Sequence, residues 1–213
     1  MTIRKCIAVI LAAGEGTRMK SNTPKVLHEI AGRSMVGHVV DTVKRAGISN
    51  IAVVIGPGRD DVAAVIRDLA PDAECFVQAE RLGTAHAALA ARTAIGTGYD
   101  DVLVLFADTP LLEPSTIEAM RGRLVEGNAV VALGFEAKNP HGYGRLLTQG
   151  SALLAIREHK DASESEREVS LCNSGLLALG FQFGQRERVE GDRVLGETEL
   201  IQRLRIMQQR AVL

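Results

Sequence analysis

The chain has 213 residues, which is enough for one large domain or two small ones with a buried core. Apolar residues make up 46% and charged residues 24% of the sequence, as in an ordinary globular protein. Because 25 basic residues nearly balance 26 acidic ones, the net charge of −1 gives no reason to expect a nucleic acid or an anionic membrane as partner.

The location of the protein is inferred from three features. The N-terminus leads directly into a strand-like run, so we expect no signal peptide. No apolar run reaches the roughly 18 to 20 residues of a membrane-spanning helix. Cys6, Cys75 and Cys172 are odd in number and lie in apolar surroundings, which predicts buried free thiols in a reducing cytoplasm rather than a metal or redox pair.

The first half of the chain alternates short β-branched runs with longer helical patterns. Continuous apolar runs predict strands that are covered on both faces, at 7–11, 51–55 and 102–106, with a shorter strand at 75–77. Helical spacing of apolar residues predicts helices at 35–46, 60–69 and 84–95. This alternation predicts a parallel sheet, whose ligands bind beyond the carboxyl ends of the strands.

The pattern changes in the second half. A helix is predicted at 115–124 and short strands at 129–135, 144–148, 153–156 and 176–179, which indicates a mixed or antiparallel extension of the sheet. No internal repeat or low-complexity linker separates two domains. Beyond Gly180 the sequence is polar and arginine-rich, and residues 196–210 have the pattern of an amphipathic helix.

A glycine loop follows the first predicted strand. Gly14 and Gly16 let backbone N–H groups approach a polyphosphate, since neither residue has a Cβ atom. The loop is neither a Walker A motif nor a full dinucleotide-binding motif. Arg18 and Lys25 are candidate counter-charges for phosphates. On spacing alone, a glycine-rich turn with two solvated cations remains an alternative.

The loop LAAGEGTRM at 11–19, with Pro-Lys-Val-Leu at 24–27, resembles the signature of the nucleotide-diphospho-sugar pyrophosphorylase superfamily. The pattern is most similar to the uridylyltransferase domain of the bifunctional N-acetylglucosamine-1-phosphate uridylyltransferase/glucosamine-1-phosphate acetyltransferase family (GlmU type). Five later segments resemble the same family in order and spacing: QAERLGTAH at 78–86, LFADTPL at 105–111, Gly-Tyr-Gly-Arg at 142–145, EHKDA at 158–162 and Asn-Ser-Gly at 173–175. The resemblance covers roughly residues 5–180.

The resemblance implies an α/β fold of the Rossmann-like, three-layer nucleotide-diphospho-sugar transferase type. Its sheet is mostly parallel with a mixed or antiparallel extension. We expect a single nucleotidyltransferase domain over 1–213, with a nucleotide-binding half at 1–112, a sugar-binding half at 113–180 and a divergent tail at 181–213.

For the nucleotide, the resemblance implies that Arg18 and Lys25 face the triphosphate as the catalytic residues. Gln78 would read the uracil edge, because a side-chain amide offers both a donor and an acceptor. A solvated cap at a strand end is the alternative for Gln78. The remaining implied nucleotide contacts are Leu11, Ala12, Ala13, Gly14, Gly83, Thr84, Phe106, Ala107 and Asp108.

Asp108 follows a strongly hydrophobic strand, and by resemblance its carboxylate holds Mg²⁺. The alternative is a turn or N-cap aspartate, since Asp-Thr-Pro favours turns. Gly144, Glu158 and Asn173 match family positions that contact the N-acetylhexosamine. We expect Tyr143 to pack, and His86 and His159 to make local structural hydrogen bonds.

The implied reaction is attack of the phosphate oxygen of N-acetylglucosamine 1-phosphate on the α-phosphorus of UTP. It gives UDP-N-acetylglucosamine, a precursor for peptidoglycan and lipopolysaccharide, and releases pyrophosphate. We expect small-molecule substrates and no nucleic acid or membrane partner, and a homo-oligomer remains possible. Nothing suggests a serine or cysteine nucleophile beside a base, so covalent catalysis is not expected.

The chain departs from the family in two respects. It lacks the hexapeptide repeats of the acetyltransferase, so acetyl transfer is not expected of it. The segment after Gly180 is shortened, and Asp192 lies near the place of the family's second metal ligand, an asparagine. The alternatives left open are a molybdopterin guanylyltransferase or other sugar nucleotidyltransferase, and a non-catalytic relative that binds UDP-sugar.

Overall fold

The computed structural model of the chain describes residues 4–14, 16, 19–80 and 82–181. They form two compact units, divided between Ala119 and Met120. Three of the sequence-based predictions fall outside the described residues: the position of Arg18, the position of Asp192 and the helix at 196–210.

The first unit contains four long strands with helices between them. Its elements are β1 (Cys6–Leu11), a 3₁₀ helix (Lys25–Leu27), β2 (Glu29–Ile30), β3 (Arg33–Ser34), α1 (Met35–Arg45), β4 (Asn50–Ile55), α2 (Asp60–Leu69), β5 (Glu74–Val77), α3 (Thr84–Ala90), α4 (Arg92–Ile95) and β6 (Asp101–Phe106). Helix α5 (Pro114–Val125) follows.

The four long strands run parallel in the order β5-β4-β1-β6. All six residues of β1 are buried, as are five of the six in β4 and in β6, because helices cover both faces of a parallel sheet. Leu11 lies opposite Val54 and Phe106, so the carboxyl ends of three strands are level. The predicted parallel α/β arrangement is confirmed.

Cys75 corrects one prediction. Cys6 and Cys172 are buried free thiols, as predicted, but Cys75 is exposed. It lies on β5, the last strand in this order, where three of four residues are exposed. The apolar run Cys75-Phe76-Val77 therefore predicted the strand correctly and its burial incorrectly, because an edge strand is covered on fewer sides than a central one.

The helices begin and end close to the predicted positions. Ser34 caps α1 by accepting a hydrogen bond from the Gly37 backbone N–H at 3.2 Å, and Gly47 follows the helix with φ +75°. The predicted helix at 84–95 is divided into α3 and α4 at Ala91, whose N–H donates to Ala88 O in a tightened last turn.

The second unit is built around antiparallel strands. After α5 come β7 (Val130–Glu136), β8 (Arg145–Gln149), β9 (Ala152–Arg157), α6 (Glu164–Arg167) and β10 (Leu171–Gly180). β10 pairs with β7 on one side and β8 on the other, and β8 pairs with β9. The predicted antiparallel extension is confirmed, but β10 is longer than the segment 176–179, since a bulge carries it through Asn-Ser-Gly.

Within the residues that the structure describes, no helix combines the length and the apolar character needed to span a membrane.

Gly134 in β7 is a test of packing in the second unit. A Cβ atom there would lie 2.7 Å from Leu146 Cδ1, and Leu146 is 1% exposed. We expect Gly134→Ala to lower the free energy of unfolding by about 1–3 kcal/mol, as overpacked cores do. Urea unfolding followed by circular dichroism measures this change.

The matched control is Gly122→Ala in α5, where a Cβ atom would meet nothing within 4 Å. The same chemical change should here raise the free energy of unfolding by about 0.5–1 kcal/mol, because alanine favours a helix interior over glycine. Two shifts of the same sign would contradict the packing described for Gly134.

Candidate functional site

The loops after β1 and β6 begin at one edge of the parallel sheet. Ala12 and Ala13 are 4% and 9% exposed, and the Ala12 N–H donates to Val54 O at 2.7 Å. The Ala107 N–H donates to Leu11 O at 3.0 Å. These backbone bonds extend the strand pairing one residue further, so the loops leave the sheet from defined positions.

The two glycines of the first loop have different surroundings. Gly14 is exposed, and a Cβ atom on it would meet nothing within 4 Å. Gly16 has φ +60°, and a Cβ atom on it would lie 2.6 Å from Lys25 Cβ. Gly16 is therefore required by the close approach of the loop to Lys25, quite apart from any ligand.

Lys25 and Asp108, 83 residues apart in sequence, form an ion pair within the first unit. Lys25 Nζ lies 2.5 Å from Asp108 Oδ2, and the two side chains are 33% and 30% exposed. The turn after β6 is closed by the Thr109 hydroxyl, which donates to Phe106 O at 2.8 Å. Asp108 lies in this turn, and its carboxylate is directed at an ammonium group.

Gln78 lies directly after β5, and its N–H donates to Ile55 O at 2.9 Å. Its side chain is only 5% exposed, so the solvated-cap interpretation is wrong. Gln78 Nε2 lies 3.3 Å from His86 Nδ1 on α3, and His86 makes the local hydrogen bond that we expected. This contact fixes the orientation of the amide, which the sequence alone did not indicate.

The segment before α3 places two more of the expected residues. Gly83 precedes the helix with φ +103° and ψ 179°, a conformation that favours glycine, and Thr84 is the first helical residue. Phe106 ends β6 half-buried, and Ala107 is fully buried behind it.

The three residues expected to contact the sugar converge within the second unit. A Cβ atom built on Gly144 would lie 3.6 Å from both carboxylate oxygens of Glu158 and 3.6 Å from Asn173 Cβ. The Asn173 N–H donates to Gly144 O at 2.9 Å. A carboxylate and an amide thus border the space beside a residue with no side chain.

The bulge in β10 orients Asn173. Its Oδ1 accepts a hydrogen bond from the Gly175 N–H at 3.0 Å, and Gly175 has φ +84°. The strand register shifts between Asn173 and Leu177. Because a bulge directs a side chain away from the regular alternation, Asn173 is available on the side of Gly144.

Tyr143 and His159 border this cluster. Tyr143 packs edge-on against Phe135 with ring centroids 5.0 Å apart, in agreement with the expected packing role. Desolvation lowers the pKa of His159 below its usual value, and the charges of His141 and Arg145 lower it further. His159 Nδ1 lies 3.5 Å from Arg145 Nη2, the local contact expected of this histidine.

Arg145 is the residue that sequence reasoning missed. It lies in the Gly-Tyr-Gly-Arg motif, yet no role followed from its position. Its side chain is 1% exposed. An arginine at the first residue of a strand whose next residues are apolar is the signal that could have indicated a buried charge.

The described residues contain few side chains placed to bind a metal ion together. Among residues 4–14, 16, 19–80 and 82–181, no group of three or more His, Cys, Asp and Glu side chains is arranged to hold a metal ion. Asp108, with its partly exposed carboxylate, is the expected ligand that the structure places at the carboxyl edge of the sheet.

Bifunctional GlmU proteins are among the curated relatives found by sequence similarity. The protein of Azorhizobium caulinodans is 61% identical over 179 residues, which is 84% of this chain and 40% of the relative. The protein of Chelativorans sp. (strain BNC1) is 49% identical over 216 residues, which is 100% of this chain and 48% of the relative. The chain therefore spans less than half the length of these relatives.

Solved structures share the fold at low sequence identity. UDP-glucose pyrophosphorylase complexed with UDP-glucose matches with a TM-score of 0.68 and 17% identity, over 84% of this chain and 76% of that chain. The inositol-1-phosphate CTP transferase from T. maritima matches with a TM-score of 0.67 and 16% identity, over 84% and 72%. The expected nucleotide-sugar transferase fold, with parallel and antiparallel strands, is confirmed.

A sequence model of the MobA-like NTP transferase domain matches residues 8–171. This match covers the glycine loop, Lys25, Gln78, Asp108, Gly144 and Glu158, and it ends two residues before Asn173. The similarity to GlmU proteins that the motifs predicted is confirmed as well. The chain belongs to the family of the MobA-like NTP transferase domain.

Proposed function

We propose that the protein transfers UMP from UTP to N-acetylglucosamine 1-phosphate, giving UDP-N-acetylglucosamine and pyrophosphate. The observation that carries this proposal is the Lys25–Asp108 pair at the carboxyl edge of the parallel sheet. Family membership supports nucleotidyl transfer, and the GlmU relatives support the choice of this reaction. The proposal treats residues 1–112 as the nucleotide-binding half and residues 113–180 as the sugar-binding half of one domain.

The first unit would bind UTP. The backbone from Leu11 to Gly14 contacts base and ribose, and the exposed Gly14 leaves room for a close approach. Gln78 presents its amide to the uracil edge, with His86 holding its orientation. Gly83 and Thr84 close over the base, and Phe106 and Ala107 precede the metal ligand.

Lys25, together with Arg18, would neutralise the phosphates. The Lys25 side chain is 33% exposed, and its flexible stem would let the ammonium group exchange the carboxylate for a phosphate oxygen. Phosphoryl-group transfers depend on positioning and on neutralising developing charge more than on proton chemistry. The lysine would therefore stabilise the pyrophosphate leaving group.

Asp108 would hold Mg²⁺. Its carboxylate oxygens are the ligands that this hard divalent cation prefers. The side chain is partly exposed, which would leave room for the waters and phosphate oxygens that complete the coordination of the cation. One carboxylate is consistent with the lack of a larger ligand cluster among the described residues. When bound, the cation supplies charge neutralisation at the phosphates.

The second unit would bind the sugar phosphate. Glu158 can accept hydrogen bonds from sugar hydroxyls, and Asn173 can donate from its amide nitrogen because Gly175 occupies its oxygen. Gly144 provides the space between them. A sugar lacking the matching hydroxyl leaves these polar groups unpaired, which is how such sites discriminate.

The reaction needs no covalent intermediate. The phosphate oxygen of the sugar 1-phosphate attacks the α-phosphorus of UTP in line, the new P–O bond forms, and the bond to pyrophosphate breaks. We place the reaction in a reducing cytoplasm, which the three free cysteines support. The product would serve cell-wall and lipopolysaccharide precursor synthesis.

The second candidate is a related transferase with another base, such as a molybdopterin guanylyltransferase, and the MobA-like description of the family favours it. A non-catalytic UDP-sugar-binding protein is the third. One assay separates them. The protein is incubated with Mg²⁺, N-acetylglucosamine 1-phosphate and each nucleoside triphosphate in turn, and pyrophosphate is measured.

We expect pyrophosphate with UTP and the sugar phosphate, and little with GTP, CTP or ATP. Lys25→Ala and Arg18→Ala should each lower the rate by roughly a hundredfold or more, because each removes a charge that stabilises the transition state. Lys44→Ala, which removes a cation bound to Leu69 O elsewhere in the unit, should leave the rate unchanged. Near-normal rates in both phosphate-side variants would contradict the proposed roles.

Gly144→Ala tests the sugar side. The added methyl group has ordinary contact distances of 3.6 Å, so the fold should persist with an unchanged melting temperature. The methyl group occupies the space between Glu158 and Asn173, and we expect KM for the sugar phosphate to rise by roughly tenfold or more. An unchanged KM would place the sugar elsewhere.

The Lys25–Asp108 pair predicts competition between the lysine and a divalent cation. In the protein without nucleotide, Lys25→Met should bind Mn²⁺ about three- to tenfold more tightly, because an ammonium group no longer repels the cation or occupies the carboxylate. Electron paramagnetic resonance of free Mn²⁺ measures this affinity. Asp108→Asn should weaken it in both backgrounds, and equal affinities of wild type and Lys25→Met would disprove the competition.

A further inference from the structure

Arg145 is the largest of the fully buried side chains among the described residues, at 1% exposure. A guanidinium group stays charged throughout the physiological pH range. Removing such a group from water costs free energy unless its donors are engaged by acceptors. The sequence therefore maintains a buried cation where an apolar side chain of similar size would be easier to accommodate.

The contacts of Arg145 reach three separate segments of the second unit. Nε and Nη2 donate to Arg167 O in α6 at 3.3 and 3.0 Å. Nη1 donates to Tyr143 O, and Nη2 lies 3.5 Å from His159 Nδ1. All of these partners within residues 120–181 are neutral acceptors, so the group acts as a multiple hydrogen-bond donor.

Two of these contacts lie next to a residue of the sugar-side cluster. Tyr143 immediately precedes Gly144, and His159 immediately follows Glu158. Arg145 itself is paired in register with Cys172, the residue before Asn173. The Arg145 side chain thus connects the segments that carry Gly144 and Glu158, and Asn173 joins them through its backbone N–H, which donates to Gly144 O.

Arg167 strengthens the same connection. Its carbonyl accepts from Arg145, and its own Nε donates to His159 O at 3.2 Å. His159 is therefore held by its ring from Arg145 and by its carbonyl from Arg167. Such a ring of hydrogen bonds restricts the backbone beside Glu158 in both position and direction.

We propose that Arg145 is a positioning residue that sets the separation of Gly144, Glu158 and Asn173, and through it the affinity for the sugar phosphate. The proposal rests on the function proposed above. Arg145 is buried and acts through the backbone of the segments that it contacts, not on the substrate itself. A lysine could not replace it, because one ammonium group lacks the planar set of five donors that reaches three segments.

The experiment compares wild type with Arg145→Lys and Arg145→Met in the full chain. We expect KM for N-acetylglucosamine 1-phosphate to rise by roughly tenfold or more in both, and KM for UTP to change by less than about twofold. Arg123→Met is the matched control, since Arg123 is an exposed arginine of the same unit paired with Glu126. It should change neither constant.

A second readout does not depend on turnover. Desolvation lowers the pKa of His159 most, and the charges of His141, Arg145 and Arg167 lower it further. In Arg145→Met the pKa of His159, followed by the ring NMR signals, should rise toward its ordinary value. The amide signals of Gly144 and Asn173 should shift in both Arg145 variants and stay unchanged in Arg123→Met.

The outcomes are distinguishable. Equal effects on the two KM values, or a fall in kcat alone, would overturn the positioning role in favour of a general structural one. If Arg145→Met does not fold, Arg145→Lys decides by the same KM comparison and amide shifts. If wild type releases no pyrophosphate with any substrate pair, the proposed function fails, while unshifted Gly144 and Asn173 amides in Arg145→Lys would overturn the positioning itself.

Discussion

Parallel hydrogen bonding between β1, β4 and β6 is the constraint on which the nucleotide-side geometry depends. In a parallel pair every strand ends at the same edge, so segments far apart in sequence begin their loops side by side. Leu11, at the end of β1, lies opposite Val54 in β4 and Phe106 in β6, so these three strands end at the same level. The backbone bonds at Ala12 and Ala107 continue the pairing into the loops, and the Lys25–Asp108 pair forms in the region that they define.

Much of this arrangement was predictable because it follows from burial. Long apolar runs are recognisable when both faces of a strand are covered, as in β1, β4 and β6. Features that depend on partners distant in sequence were not predictable. The exposure of Cys75 follows from the order of the strands, and the bulge at Asn173 resembles a turn when the sequence is read without β7.

The candidate site divides in the same way. Motif order and spacing indicated Gln78, Asp108, Gly144, Glu158 and Asn173, and the structure gives them defined surroundings. The choice of Gln78 as the partner of His86 and the buried charge of Arg145 could not be inferred, because both depend on side chains that meet only in the folded chain. The local sequence does not show which acceptors satisfy the N–H donors of a buried guanidinium group.

Gly16 affects how relatives of this chain should be compared. A side chain at this position would collide with Lys25 Cβ and would have to adopt φ +60°. Selection for folding alone would therefore retain glycine there, even in a descendant that had lost its ligand. An invariant glycine at this position in an alignment would report on loop packing, whereas variation at the open Gly14 would be the more informative sign that nucleotide binding had changed.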